Sequence, residues 1–408
     1  MNRSEVKEFA SCLKKNFPIF ENNKDLCYLD SGATSLKPKC VLDKMNEYYA
    51  NYGVNIHRGV YKLSYDATNA YDIAREKVAK FINAEFKEVV FTKNVSEALN
   101  DLSLMLKDSL NEGDEVLSSV LEHHSSVLPW LIRSKEKNLK LTYLPLTNAN
   151  RLDVDKVEDY INPNTKIIAI SYVSNVLGYK VDIKKVIEIA HKHGVLVIVD
   201  AAQAIQHFPI DVKDLDCDFL CFSGHKMFGP TGVGVLYGKK NLLKKLMPVY
   251  YGGDMNEEVY KDRVDIKDIP YRFEVGTPAI AEVIGLGAAV DFISNIGFDK
   301  IKAHDDAMSN YIEEKFRNLD GIDLYNDSFD EPILSFNVKG VHPHDASGFL
   351  DEDNICVRAG HHCAQLLTKH LGVNGTIRAS FSIFNDFDDV DRLYDCVKKV
   401  IAFFKEFN

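Results

Sequence analysis

The sequence lacks any apolar run that approaches membrane-span length. Its first ten residues, MNRSEVKEFA, hold no apolar signal core. A membrane protein and a secreted one are therefore both unexpected. It also lacks a C-x-x-C pair, since its eight cysteines are scattered at 12, 27, 40, 217, 221, 356, 363 and 396. In a chain of 408 residues without a secretion signal, that scatter predicts reduced thiols and a cytoplasmic setting. Positive charge is short as well. Lys and Arg number 49 against 60 Asp and Glu, for a net charge of −11, which argues against a nucleic-acid-binding surface. Repeats, low-complexity tracts and linkers are absent. What remains is an ordinary globular composition, 46% hydrophobic and 27% charged, long enough for two or three domain-sized units.

The apolar pattern is regular. Strand-like runs fall near 88–92, 115–118, 140–145, 166–172, 195–200, 218–222 and 233–237, and helical patterns at 96–108, 123–134, 153–161 and 182–193 separate most of them. This alternation predicts an α/β fold with a mainly parallel, seven-stranded sheet covered on both faces. An amphipathic helix is expected over 1–17. Another is expected over 67–83, with Ala70, Ile73, Ala74, Lys77, Val78 and Phe81 as its packing face. After a less regular stretch at 239–279 the strands become fewer and the helices longer. Three units are predicted: an N-terminal segment (1–25) packing with the small domain, a large domain (26–289), and a smaller α+β domain (290–408).

The chemistry concentrates around Ser223-Gly224-His225-Lys226, which follows the apolar run Phe219–Phe222. A lysine just off a buried strand can be desolvated enough to act as a neutral amine and condense with a carbonyl. Asp200 ends the preceding run, Val195–Val199, and is followed by Ala201-Ala202-Gln203. A carboxylate at one strand end and an amine at the next is an arrangement that holds a pyridinium ring and its aldehyde. Asn94-Val95-Ser96-Glu97 opens a helix and offers free N–H groups to a phosphate, although it also reads as a plain helix cap. His123 can stack on a ring or shuttle a proton, and the Asn175 amide can reach a ring oxygen. Ser223 and His225 add donors beside the lysine. The turn Ser31-Gly32-Ala33-Thr34 can bring its backbone close to a ligand. All but this turn fall just past strand C-terminal ends, where parallel α/β sheets bind ligands.

A second cluster is Arg358-Ala-Gly-His361-His362-Cys363-Ala-Gln365. Cys356, His361, His362 and Cys363 are zinc-type ligands, but adjacent histidines rarely share one metal and no matching cluster exists, so no metal is expected. A thiolate stabilised by the histidines and Arg358 fits better, with a buried inert cysteine as the other reading. Arg378, on the strand near 376–381, suits a substrate carboxylate or a structural salt bridge.

The motifs Asp200-Ala-Ala-Gln203, Ser223-Gly-His-Lys226 and Arg358-Ala-Gly-His-His-Cys363-Ala-Gln resemble those of the SufS group of cysteine desulfurases. These are class V aminotransferase-like, fold-type I enzymes dependent on pyridoxal 5'-phosphate (PLP). The resemblance implies that Lys226 bonds the cofactor aldehyde, Asp200 its pyridinium nitrogen, and Gln203 and Asn175 its phenolic oxygen. It implies that His123 stacks on the ring and that Ser96, the Val95 backbone, Ser223 and His225 bind the phosphate. Thr277 would reach the phosphate of a second subunit in a homodimer. Arg378, with Arg358, Asn175 and Ala33, would bind the substrate L-cysteine. Cys363 would take its sulfur as a persulfide, to pass on to an acceptor of the SufE or SufU kind for iron–sulfur cluster assembly. Selenocysteine lyase or cysteine sulfinate desulfinase chemistry is the alternative. The sequence departs from the family pattern at Val95, Tyr61, Leu366 and Asp386.

Overall fold

The computed structural model describes residues 1–405. A seven-stranded sheet runs in the spatial order Val89–Thr92, Gly234–Gly238, Phe219–Ser223, Leu196–Asp200, Thr165–Ser171, Glu115–Ser119, Lys140–Leu144. Alternation along the strands explains how both faces are covered. Ile168, Val197, Val199, Leu220 and Phe222 enter one apolar cluster. Ile167, Ala169, Ile198, Phe219 and Cys221 enter another, with Leu99 and Trp130 from the helices Val95–Leu106 and His124–Lys137.

Six strands are mutually parallel, and only Gly234–Gly238 runs against its two neighbours. The segment from Gly224 to Val233 that feeds this strand is too short for a parallel crossover, which needs a dozen residues or more. The reversal has a consequence for the site. It brings the start of this strand against the loop that leaves Thr92, so Gly234 lies flat on Asn94. A Cβ at Gly234 would stand 2.6 Å from Asn94 Cα.

The helix expected over 67–83 runs Lys62–Phe81. It buries Ala67, Tyr71, Ala74, Arg75 and Val78, while Ile73 is turned outward. The Arg75 guanidinium is fully buried; its terminal nitrogens donate to Glu274 and to Val89 O, while its Nε has no acceptor. The expected helix at 153–161 is a 3₁₀ turn, Val154–Lys156, followed by the short helix Val157–Tyr160. Ile280–Ile296 is apolar nearly all round because it packs on Lys39–Asn51 and Lys62–Phe81. Among the described residues no single helix is long and apolar enough to cross a membrane.

A four-stranded antiparallel sheet follows, in the order Ile322–Leu324, Ile333–Val338, Thr376–Ser380, Arg358–Gly360. The helices Phe298–Phe316 and Phe387–Lys405 share its core with Val6, Cys27 and Leu29 from the start of the chain. Cys27–Tyr28 pairs parallel with Ile355–Cys356, and Asp30 bridges to Ser380. The first strand of the chain is thereby fixed to residues more than 300 positions away.

Gly234→Ala is expected to destabilise the protein by about 1–3 kcal/mol, because backbone rather than a flexible side chain blocks the new methyl. Denaturant unfolding checks this. An unchanged midpoint would show that the Asn94 turn yields freely.

Candidate active site

The parallel strands deliver their loops to one edge of the sheet, and a cavity of about 410 Å³ lies there. Lys226, His123, Asn175, Ser223, His225, Arg378 and Cys363 all line it, as do Ala33, Val95, Ser96 and Arg358. A narrow pocket beneath adds Asp200, Gln203 and Ser171 beside Lys226 and His123. Thr277 is not in this cavity. It lines a hollow next to it, with Lys93 and Gly232 common to both.

Lys226 ends the short turn Gly224–Lys226 and opens onto the cavity. Desolvation pushes its ammonium down to about 8, against the pull of Asp200 and with a further push from Arg378. Asp200 is 4% exposed. Its carboxyl is raised by burial and lowered in turn by the N–H of Ala202, which donates at 2.9 Å, and by Lys226. Gln203 donates to Gly32 O at 2.7 Å, which orients its amide and leaves Oε1 buried without a donor.

His123 caps the helix His124–Lys137, with Nδ1 accepting from the N–H of Ser125 at 3.1 Å. That bond leaves the ring proton on Nε2. Burial first, then Lys226, pushes the ring down to about 3, so His123 is neutral at physiological pH. Beneath it Glu122 accepts from Ser119 Oγ at 2.6 Å and from Ser171 Oγ and N–H at 2.6 and 2.7 Å, and burial raises it to about 7.

At the helix start, Val95 N–H donates to Ser223 Oγ at 2.8 Å, so this N–H is already spent and the Ser223 hydroxyl proton stays available. Ser96 Oγ lies 2.6 Å from Ser125 Oγ. His225 Nδ1 sits 3.2 Å from Thr34 Oγ1. Its carbonyl gathers the Ser35 N–H at 2.9 Å and the Lys37 ammonium at 3.1 Å. Burial, then Lys226 and Lys37, hold His225 down near about 4.

Arg378 and Arg358 are directly opposed across their two strands. Asp30 lies between them, accepting from Arg378 Nη2 at 3.0 Å and from Arg358 Nη2 at 2.9 Å. Arg378 also donates to Asn175 O at 2.8 Å, and its Nε is buried without an acceptor. The structure thus gives Arg378 a salt bridge and a free donor together.

Cys363 is exposed. His362 and Cys363 both have left-handed backbones, φ 52° and 54°, a costly conformation for two consecutive residues with side chains. Bonds from the sheet side hold it. Asn175 Nδ2 donates to His362 O and His124 N–H to Cys363 O, each at 2.7 Å. His362 Nε2 faces Thr376 O at 3.0 Å, and its Nδ1 is a buried acceptor without a donor. His361 turns to Thr368 Oγ1 at 3.1 Å. Among the described residues, Cys356, His361, His362 and Cys363 do not gather three ligand atoms within 4.8 Å of one another.

Asp30, Lys37 and Glu122 join this site without having been singled out by the sequence. For Asp30 a signal existed: two arginines in the C-terminal segment with no acid beside either in sequence.

The deep pocket fits the cofactor implied by the motifs. It holds a buried carboxylate, a depressed lysine and two orphaned amide oxygens, Asn175 Oδ1 and Gln203 Oε1. The comparisons agree with that chemistry. The family model described as aminotransferase class-V matches residues 27–393. A probable cysteine desulfurase of Halalkalibacterium halodurans is 45% identical, over 96% of this chain and 98% of that protein. A probable cysteine desulfurase of Staphylococcus aureus is 43% identical, over 96% of each. The crystal structure of the Escherichia coli cysteine desulfurase CsdA superposes with a TM-score of 0.91 at 37% identity, covering 97% of this chain and 98% of that one. The cysteine desulfurase of Thermococcus onnurineus gives 0.92 at 38%, covering 96% and 98%. With a mainly parallel seven-stranded sheet and this ring of residues, the chain belongs to the class-V aminotransferase family and groups there with the cysteine desulfurases.

Proposed function

We propose that this protein converts L-cysteine to L-alanine using PLP, with the substrate sulfur transferred to Cys363. The observation that carries the reading is one cavity lined both by a lysine of depressed basicity and by an exposed cysteine on a strained loop. PLP, when bound, supplies the electron sink that stabilises negative charge at the substrate Cα.

The chain's residues do the rest. Asp200 holds the pyridinium proton, and the deeply buried amides of Gln203 and Asn175 orient the ring. His123, neutral and capped, covers one face and offers its Nε2 proton. The helix start at Ser96, with Ser223 and His225, binds the phosphate. Arg378 meets the substrate carboxylate through its unpartnered Nε, steadied by Asp30. Lys226, whose desolvated amine is depressed to about 8, would take the Cα proton. The Cys363 thiolate attacks the substrate sulfur and the Cβ–S bond breaks. The bonding pair goes to the carbon fragment, which becomes alanine on protonation. The sulfur stays as a persulfide.

The exposed position of Cys363 suits delivery of this sulfur to an acceptor protein of the SufE or SufU kind, for iron–sulfur cluster assembly. Thr277, outside its own chain's cavity but beside it, suits a homodimer in which each subunit completes the other's phosphate site.

Lys226→Ala is expected to abolish the yellow colour that PLP gives a lysine-bound protein. Cys363→Ser should keep the colour and lose alanine and sulfide production from L-cysteine at least about 10²-fold. A serine variant working on L-cysteine at the parental rate would overturn the nucleophile assignment.

The depressed amine gives a pH signature. PLP capture by the apoprotein should rise with pH as Lys226 deprotonates and level off above about pH 8. A rise continuing to about 10.4, the ordinary lysine value, would contradict the desolvated site.

Arg378→Lys should raise KM about 10–100-fold with less effect on kcat, since an ammonium replaces the planar donor fork. Steady-state kinetics with L-cysteine tests this, and an unchanged KM would remove Arg378 from substrate binding.

A further inference from the structure

A second cavity, of about 560 Å³, is lined by His207, Asp305 and Glu331 among others and contains none of the residues of the Lys226 site. The three come from separate segments. His207 lies in the turn-rich loop after the strand Leu196–Asp200, Asp305 within the helix Phe298–Phe316, and Glu331 just before the strand Ile333–Val338. They are 5%, 4% and 6% exposed, and their ligand atoms all lie within 4.8 Å of one another.

Hydrogen bonding does not satisfy this group. His207 Nδ1 is 2.8 Å from Asp305 Oδ2 and 3.4 Å from Glu331 Oε2, and one N–H serves only the nearer well. Among the described residues no other donor reaches the Glu331 carboxylate. The lysines lining the cavity are engaged elsewhere: Lys302 with Asp306, Lys184 with Asp214, and Lys180 over the Phe208 ring at 3.7 Å. Two carboxylates thus face one imidazole, and the closer His207–Asp305 pair leaves Glu331 buried without a strong partner, which is costly.

We propose that His207, Asp305 and Glu331 form a binding site for one divalent transition-metal ion of the zinc kind. A neutral imidazole, two carboxylates and a divalent ion sum to zero charge. Metal–ligand bonds of about 2.0–2.2 Å in tetrahedral geometry place ligand atoms about 3.3–3.5 Å apart. The His207–Glu331 separation already matches, and His207–Asp305 needs to widen by about 0.6 Å. His304 Nδ1, 3.1 Å from Asp305 Oδ1, steadies the oxygen of that carboxylate that faces away from His207. The cavity supplies water for the fourth position and a path for the ion. Bound there, the metal ties the loop after Asp200 to the helix and strand of the C-terminal segment. This proposal is independent of the reaction assigned to the Lys226 cavity.

The test is equilibrium dialysis of the metal-stripped full-length protein against Co²⁺, followed by absorbance. One Co²⁺ per chain is expected, displaceable by Zn²⁺, with the ligand-field bands of a nitrogen and oxygen site and no thiolate-to-cobalt charge transfer. Glu331→Gln and Asp305→Asn, both near-isosteric, should each weaken binding at least tenfold, and Cys363→Ser should leave it unchanged. Thermal unfolding separates loss of site from loss of fold: Zn²⁺ should raise the melting temperature of the parent protein but not of a folded Glu331→Gln. No Co²⁺ bound, a thiolate band, or equal binding by Glu331→Gln would each overturn the site.

Discussion

Asp30 makes the catalytic edge possible. Arg358 and Arg378 sit opposite each other on adjacent antiparallel strands, where like charges repel and destabilise the pairing. Arg378 is almost wholly buried, and that desolvation holds its guanidinium below the ordinary arginine value. A single carboxylate bonded to both offsets the repulsion and pairs the buried cation through Nη2, leaving its Nε free. It does so from the far end of the chain, where Cys27–Tyr28 pairs with Ile355–Cys356 and Asp30 bridges to Ser380. Everything after Asp30 depends on that placement. Gly32 O receives Gln203, Ser35 and Lys37 gather on the His225 carbonyl, and Asn385 bonds Tyr28 O. One strand end thereby connects the deep pocket, the lysine turn and the paired arginines.

The charge states around the cavity follow one logic. Burial pushes every titratable group toward its neutral form, and local partners decide how far. His123 and His225 have only cations near them and stay neutral, free to stack or donate. Lys226 has Asp200 on one side and two arginines on the other, and its value near about 8 is the balance. The net result is a cavity with cationic Arg378, Arg358 and Lys37 around it and neutral rings within. Such a surface attracts a phosphate and a carboxylate while leaving an amine basic enough to take a proton.

The sheet was legible because its strands are dense in apolar and β-branched residues, as in Thr165–Ser171 and Leu196–Asp200, and end on polar residues that break the apolar run. Periodicity carries no direction, however. The reversed strand Gly234–Gly238 could be inferred only from the short segment before it. Polar helix starts were equally invisible, since Lys62–Asp66 has no apolar stripe to announce it. Local motifs exposed Lys226, Asp200 and Cys363 because each carries unusual chemistry within a few residues. Asp30 and Lys37 act on groups about 190 to 350 positions away, and no local pattern encodes that. Val95 shows a subtler limit. Its N–H is a free helix-start donor by sequence, yet the fold turns it onto Ser223 Oγ.

The cysteine loop shows why sheet and loop cannot be separated. Two successive left-handed residues cost roughly 1–2 kcal/mol each, and they persist only where surrounding bonds outweigh that cost. Those bonds come from Asn175, which lines the cavity, and from the N–H of His124, the first residue of the helix that His123 caps. The same Asn175 carbonyl takes Arg378. Asn175 is therefore coupled to His362, next to Cys363, through one bond, and the exposed side of the loop is braced by the Gln365 N–H donating to His124 Nε2 at 3.1 Å. The sulfur atom sits at the rigid end of a short, strained arch. Its position is set by Asn175, which also holds Arg378, and its exposure is set by the arch.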